Sequence, residues 1–86
     1  MIHVGVDLHK RFSQVAVLMP DGEVIEGRFP NDFNKLMAFF NQVPKPAKVA
    51  VESTSNWWWM ADLLDQAGHE MVLSHPSRPG PLHRPD

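Results

Sequence analysis

Two short stretches of the sequence end alike, VGVD at residues 4–7 and VAVE at residues 49–52. Each valine-rich run closes on a carboxylate, Asp7 or Glu52. Two positions earlier stands a small residue, Gly5 or Ala50. Alternation with period two puts Gly5 and Asp7 on one side of a strand, and Ala50 and Glu52 on one side of another. Small neighbours leave room above the strand for something to approach. If the two strands are adjacent, their backbones lie about 4.8 Å apart. Two carboxylates about 4 Å apart repel by roughly 1–4 kcal/mol as the effective dielectric falls from about 80 to about 20. A shared divalent cation turns that repulsion into binding. Oxygen ligands with few others suit Mg²⁺ or Mn²⁺, which retain waters and take one or two carboxylates plus phosphate oxygens. Such a site supports in-line phosphoryl transfer. A structural reading stands beside this one: Asp7 ends a strand, and Glu52 precedes a helix whose dipole it stabilises. On pattern alone the structural reading weighs more, because acidic strand ends are common. The repeated small-x-acid arrangement narrows the difference.

The neighbours of Asp7 are His9, Lys10 and Arg11. His9 can be a metal or phosphate contact, or a turn residue at the edge of a site. Lys10 and Arg11 can hold phosphate, or form a solvated charged link. His3 shares a face with Asp7 and reads as a structural histidine. His69 opens the last apolar run and reads as solvated. No two histidines stand at i, i+4, so a zinc site is not expected. Trp57, Trp58 and Trp59 are consecutive. On a helix, three consecutive residues sweep too wide an arc for one core. Trp57 fits the apolar stripe. Trp58 and Trp59 are therefore candidates for an interface or a cover, by exposure or by burial against a partner. No basic residue flanks them, so base stacking ranks lower.

The elements that must position these residues follow from period and punctuation. IHVGVDL alternates as a strand, and FSQVAVLM at 12–19 is a second one after the short link HKR. Pro20-Asp21-Gly22 is a turn into a third strand, EVIEGRF at 23–29. Asn31 or Asp32 can cap a helix over 32–42 with the stripe Phe33, Leu36, Met37 and Phe40. Pro44 and Pro46 end it. AKVAVE at 47–52 is a fourth strand. Ser53-Thr54-Ser55 offers capping hydroxyls to a second helix over 56–67, with Trp57, Ala61, Leu64 and Ala67 (or Gly68) on one face. Gly68 suits the left-handed position that closes it. MVLS at 71–74 is a fifth strand. The order β-β-β-α-β-α-β predicts an α/β fold with a mixed five-stranded sheet. Residues 1–74 read as one domain. Residues 75–86, HPSRPGPLHRPD, carry four of the eight prolines and read as an irregular tail.

Composition bounds the function. The chain has 86 residues, 43% hydrophobic and 21% charged, which suits one small globular domain. The absence of cysteine removes disulfides and thiolate metal sites and agrees with a cytoplasmic setting. No apolar run approaches the ~20 residues of a membrane span, and no secretory signal pattern opens the sequence. The net charge is −2, so the chain lacks the basic footprint of a nucleic-acid-binding domain. Any DNA or RNA function has to rest on a local site or on further parts.

Taken together, the VGVDLHK opening, the PDG hairpin with RFPND, and VAVESTSNWWWMADLLDQAGHEMVLSHPSR resemble the N-terminal domain of the DEDD transposases of insertion sequences. The resemblance covers residues 2–78. It implies a RuvC-like, RNase H-type domain built on a five-stranded sheet. It maps the first two members of an acidic, metal-binding tetrad onto Asp7 and Glu52, with Mg²⁺ or Mn²⁺ as cofactor. It implies DNA cleavage and strand exchange in transposition, with a structured guide RNA and homo-oligomeric assembly in the complete family. The family's second aspartate pair follows the fifth strand, and a serine nucleophile comes from a C-terminal domain. Here HPSR runs instead into PGPLHRPD, and Asp86 does not match. The expectation is a truncated, by itself inactive transposase fragment with a weak metal site. Two other classes remain as alternatives. One is a non-catalytic module dimerising through its tryptophans. The other is an actin-like or sugar-kinase ATPase fragment, which would need a small Gly/Ser/Thr turn where LHKRF stands.

Overall fold

The computed structural model describes residues 1–53 and 56–74. Five strands and two helices alternate along the chain: β1 (Ile2–Leu8), β2 (Phe12–Leu18), β3 (Val24–Pro30), α1 (Phe33–Gln42), β4 (Ala47–Ser53), α2 (Trp58–Ala67) and β5 (Glu70–Ser74). They build one mixed sheet in the order β3-β2-β1-β4-β5. β1 runs antiparallel to β2 and parallel to β4. β2 is antiparallel to β3, and β4 is parallel to β5. The order, the type of every element and the mixed sheet are as the sequence predicts. The expected tail at 75–86 and the capping residues Thr54 and Ser55 lie outside the described residues. Among the described residues no helix is long and apolar enough to cross a membrane.

Strict alternation decides which face is core. Ile2, Val4, Val6 and Leu8 are buried, as are Ala47, Val49 and Val51. Val15 and Val17 of β2 join the same apolar cluster. Leu36 and Phe40 of α1 and Met60, Leu63, Leu64 and Ala67 of α2 complete it. Both helices therefore cover one face of the sheet. The intervening residues His3, Gly5, Asp7, Lys48, Ala50 and Glu52 emerge on the other face, which no described element covers. His3 is thus exposed on the open face rather than a structural core residue.

The turns carry their expected chemistry. Gly22, at φ 94°, donates to the Met19 carbonyl at 2.9 Å, and the Asp21 side chain accepts from Glu23 N–H. Asp32 caps α1 by accepting from Lys35 N–H at 3.0 Å. Asn31, the other candidate cap, is used elsewhere. Phe33 departs from the predicted stripe: it is 41% exposed, while Leu36 and Phe40 of the same helix are fully buried.

The second helix starts later than predicted, at Trp58. Its first N–H group is taken by Asn56, whose Oδ1 accepts from Trp58 N–H at 3.2 Å. The buried stripe is Met60, Leu63, Leu64 and Ala67, an i, i+3, i+4, i+7 set. Trp57 and Ala61 are only half-buried. Trp57, the first position of the predicted stripe, is the cap rather than a core position. None of the three tryptophans is fully exposed. Trp57 and Trp58 stack with centroids 4.6 Å apart and planes 10° from parallel, and Trp57 and Trp59 pack against the core. Gly68 closes the helix in the left-handed conformation, φ 85°, and His69 N–H reaches back to the Leu64 carbonyl.

His69 corrects a second expectation. It is buried, not solvated. Its Nδ1 accepts from Ala47 N–H at 3.0 Å, and its Nε2 donates to the Phe40 carbonyl at 2.8 Å. One side chain thereby ties the start of β4 to the end of α1. The Ala47 N–H would otherwise be buried without a partner, while the Phe40 carbonyl also accepts from Val43 N–H at 3.2 Å.

Candidate active site on the open sheet face

The parallel register of β1 and β4 sets Asp7 opposite Glu52, and Gly5 opposite Ala50. The adjacency that a shared cation requires is therefore present. Both carboxylates are exposed. They line one open concavity of about 540 Å³ with Gly5, Gln14, Ala16, Glu26, Ala50 and Ser74 among its walls. A Cβ at Gly5 would meet nothing within 4 Å. Three small residues, Ala16, Gly5 and Ala50, stand side by side on β2, β1 and β4 and form the floor.

Register extends the row to the whole sheet. Arg28 pairs with Gln14, Gln14 with Asp7, Asp7 with Glu52, and Glu52 with Ser74. Five polar side chains, one from each strand, thus start from a single transverse line on the open face. The sequence reading found Asp7 and Glu52 in this line and missed Arg28, Gln14 and Ser74. A signal existed in the tight HKR link and the PDG turn. These fix two antiparallel registers in succession.

Asp7 is held from the hairpin. His9 Nε2 lies 2.9 Å from Asp7 Oδ2, with His9 44% and Asp7 58% exposed. The imidazole stacks on Phe12 with centroids 4.5 Å apart. Asn31 fixes the backbone beneath it: its amide donates to the His9 carbonyl at 2.7 Å, and its Oδ1 accepts from the buried Ser13 hydroxyl at 2.6 Å. His9 N–H bonds the Phe12 carbonyl. His9 is therefore a turn residue in direct contact with Asp7. Lys10 and Arg11 occupy the tip of the same hairpin and are exposed. Trp58 and Trp59 belong to α2, whose buried stripe packs on the covered face, so the structure does not bring them together with the carboxylates.

The donor chemistry is two carboxylates in register, with open space above. Among the described residues no third His, Cys, Asp or Glu joins them in a metal-sized cluster. Two oxygen-bearing side chains fit a hard cation that keeps most of its water, and they do not make a closed protein cage.

Comparison with known proteins follows the same line. The family model DEDD_Tnp_IS110, described as transposase, matches residues 4–80. No curated protein matches the chain. Among solved structures, RuvC of Thermus thermophilus superposes with a TM-score of 0.54 and 16% identity, over 88% of this chain. At that identity the likeness shows the fold, a RuvC-like, RNase H-like sheet. The chain spans 62% of the length of that RuvC.

Proposed function

The chain belongs to the DEDD transposase family, and we propose that its open sheet face is the N-terminal half of a metal-dependent centre for DNA strand cleavage and exchange in transposition. Asp7 and Glu52 are the residues that would hold the divalent cation, Mg²⁺ or Mn²⁺. One observation carries this reading: the two carboxylates face each other across adjacent parallel strands, beneath unfilled space, on the face without packing. When bound, the cation would polarise a phosphoryl oxygen and activate the attacking water or hydroxyl.

The chain's own residues have definite parts in this reading. Asp7 and Glu52 present oxygen ligands from rigid strands rather than from loops. His9 restrains the Asp7 carboxylate through Oδ2 and is itself restrained by Phe12 and Asn31. Lys10 and Arg11 at the hairpin tip contact the DNA backbone. Activity needs more than these residues supply. In this proposal the remaining carboxylates, a nucleophilic serine, a structured guide RNA and further copies of the protein complete the centre. The 86 residues alone bind the cation weakly and leave DNA intact.

The test is thermal unfolding of the purified chain with and without Mn²⁺. A ligand bound only to the folded state raises the midpoint by mass action. The midpoint is expected to rise for the natural sequence and not for Asp7→Asn or Glu52→Gln. Equal gains in all three would sink the shared site. Metal-dependent nicking of plasmid DNA by the chain, lost in Asp7→Asn, would overturn the expected inactivity.

A further inference from the structure

The transverse row has a positive end that the metal reading does not use. Arg28 lies on the edge strand β3 and is exposed. Its guanidinium carbon sits 3.7 Å from the centre of the Phe12 ring. No carboxylate among the described residues lies within ion-pair distance of it. Stacking on an aromatic ring holds the guanidinium plane and leaves its N–H edges free for an anion. Phe12 is in turn the ring on which His9 stacks. Arg28, Phe12, His9 and Asp7 therefore form one continuous set of contacts across three strands. A flexible, solvated arginine has no such support.

Distance and charge narrow the ligand. Arg28 starts two strands from Asp7 through Gln14, so their backbones are about 10 Å apart. A ligand that meets both ends must carry negative charge at Arg28 and metal-binding oxygens at Asp7 and Glu52. A polynucleotide backbone offers both, with an anionic oxygen pair on every unit. Gln14, between the two ends, has an amide that can donate to a phosphate oxygen. Glu26, one step further along β3 on the same face, repels such a backbone and bounds the track on that side. Lys10 and Arg11, in the turn between β1 and β2 beyond Asp7 and Gln14, add positive charge beside the row.

We propose that Arg28, braced by Phe12, is a phosphate-binding residue that seats a DNA backbone across the sheet at one end of the Arg28–Gln14–Asp7–Glu52 row. This rests on the reading of that face as a DNA-processing site. It adds a substrate-positioning residue that bears on binding and not on the cation.

The experiment measures binding of a fluorescent single-stranded DNA oligonucleotide by anisotropy, in chelator, across a series of salt concentrations. The chain is compared with Arg28→Gln and Arg28→Lys, and each protein is also melted with and without Mn²⁺. Both substitutions are on an exposed edge position, and the melts report whether each variant is folded. Arg28→Gln is expected to weaken binding for every oligonucleotide sequence and to make the salt dependence shallower by about one phosphate contact. Arg28→Lys, which keeps the charge but not the planar stack, is expected to fall between them with the salt slope retained. Unchanged affinity and slope in Arg28→Gln, with the Mn²⁺ response intact, would overturn this inference and leave the metal site standing. Arg28-dependent binding in a chain without any Mn²⁺ response would support the inference and remove the metal site. No DNA binding by the chain, or Arg28-dependent binding of the matching RNA alone, would also overturn it.

Discussion

The two faces of this sheet share every strand and differ in almost everything else. On the covered face the inward side chains of β1, β2 and β4 each have a packing reason, while Ile25 on the edge strand β3 stays 48% exposed. Valines and leucines meet the helices, and the buried polar residues have partners, Ser13 on Asn31 and His69 on Ala47 and Phe40. On the open face no described element covers the residues one position away. Gly5, Ala16 and Ala50 leave a floor, and Asp7 and Glu52 start opposite each other from adjacent strands. An arrangement that stability does not explain is where chemistry is to be sought.

Substitutions on the covered face should be the most damaging. Phe40→Ala removes a fully buried ring and is expected to destabilise by about 3–5 kcal/mol, much of the total stability of a domain this size. Urea unfolding measures it. His69→Leu keeps the volume but strands the buried Ala47 N–H and removes one of two donors to the Phe40 carbonyl, and is expected to cost about 1–3 kcal/mol. Wild-type stability in His69→Leu would mean that these groups find water, and that the covered face is less closed than described.

Open-face substitutions should separate stability from binding. In Gly5→Val the added Cβ meets no atom within 4 Å, and a flexible strand residue is replaced. It is expected to leave the urea midpoint unchanged or to gain up to about 1 kcal/mol. By filling the floor beside Asp7 it should also diminish the Mn²⁺-dependent rise in melting temperature. The smallest effect belongs to Asp7→Asn in chelator. The His9 contact that it loses is solvent-exposed on both sides, and the change should stay within about 0.5 kcal/mol. A loss of several kcal/mol there would make Asp7 a structural residue and erase the contrast between the faces.

How much of this was legible depended on the range of the interaction. Alternation in IHVGVDL and AKVAVE, the PDG turn and Gly68 are local signals, and the strands, the hairpin and the helix end follow them. Pairing of Asp7 with Glu52 needed one further inference, that β1 and β4 are neighbours. The phase of α2 was misjudged because three tryptophans in a row hide which one begins the helix. His69 was misread because its partners lie 22 and 29 positions away and no local pattern points to them. Arg28 emerged only when two registers, β1 with β2 and β2 with β3, were combined.

The most direct measurement is a two-dimensional amide NMR titration with substoichiometric Mn²⁺, whose unpaired electrons broaden nearby signals. Broadening should centre on Gly5–Asp7 and Ala50–Glu52, spare Phe40 and Leu64 across the sheet, and vanish in Asp7→Asn and Glu52→Gln. Broadening centred elsewhere, or unchanged in both variants, would contradict a cation site built by the paired carboxylates.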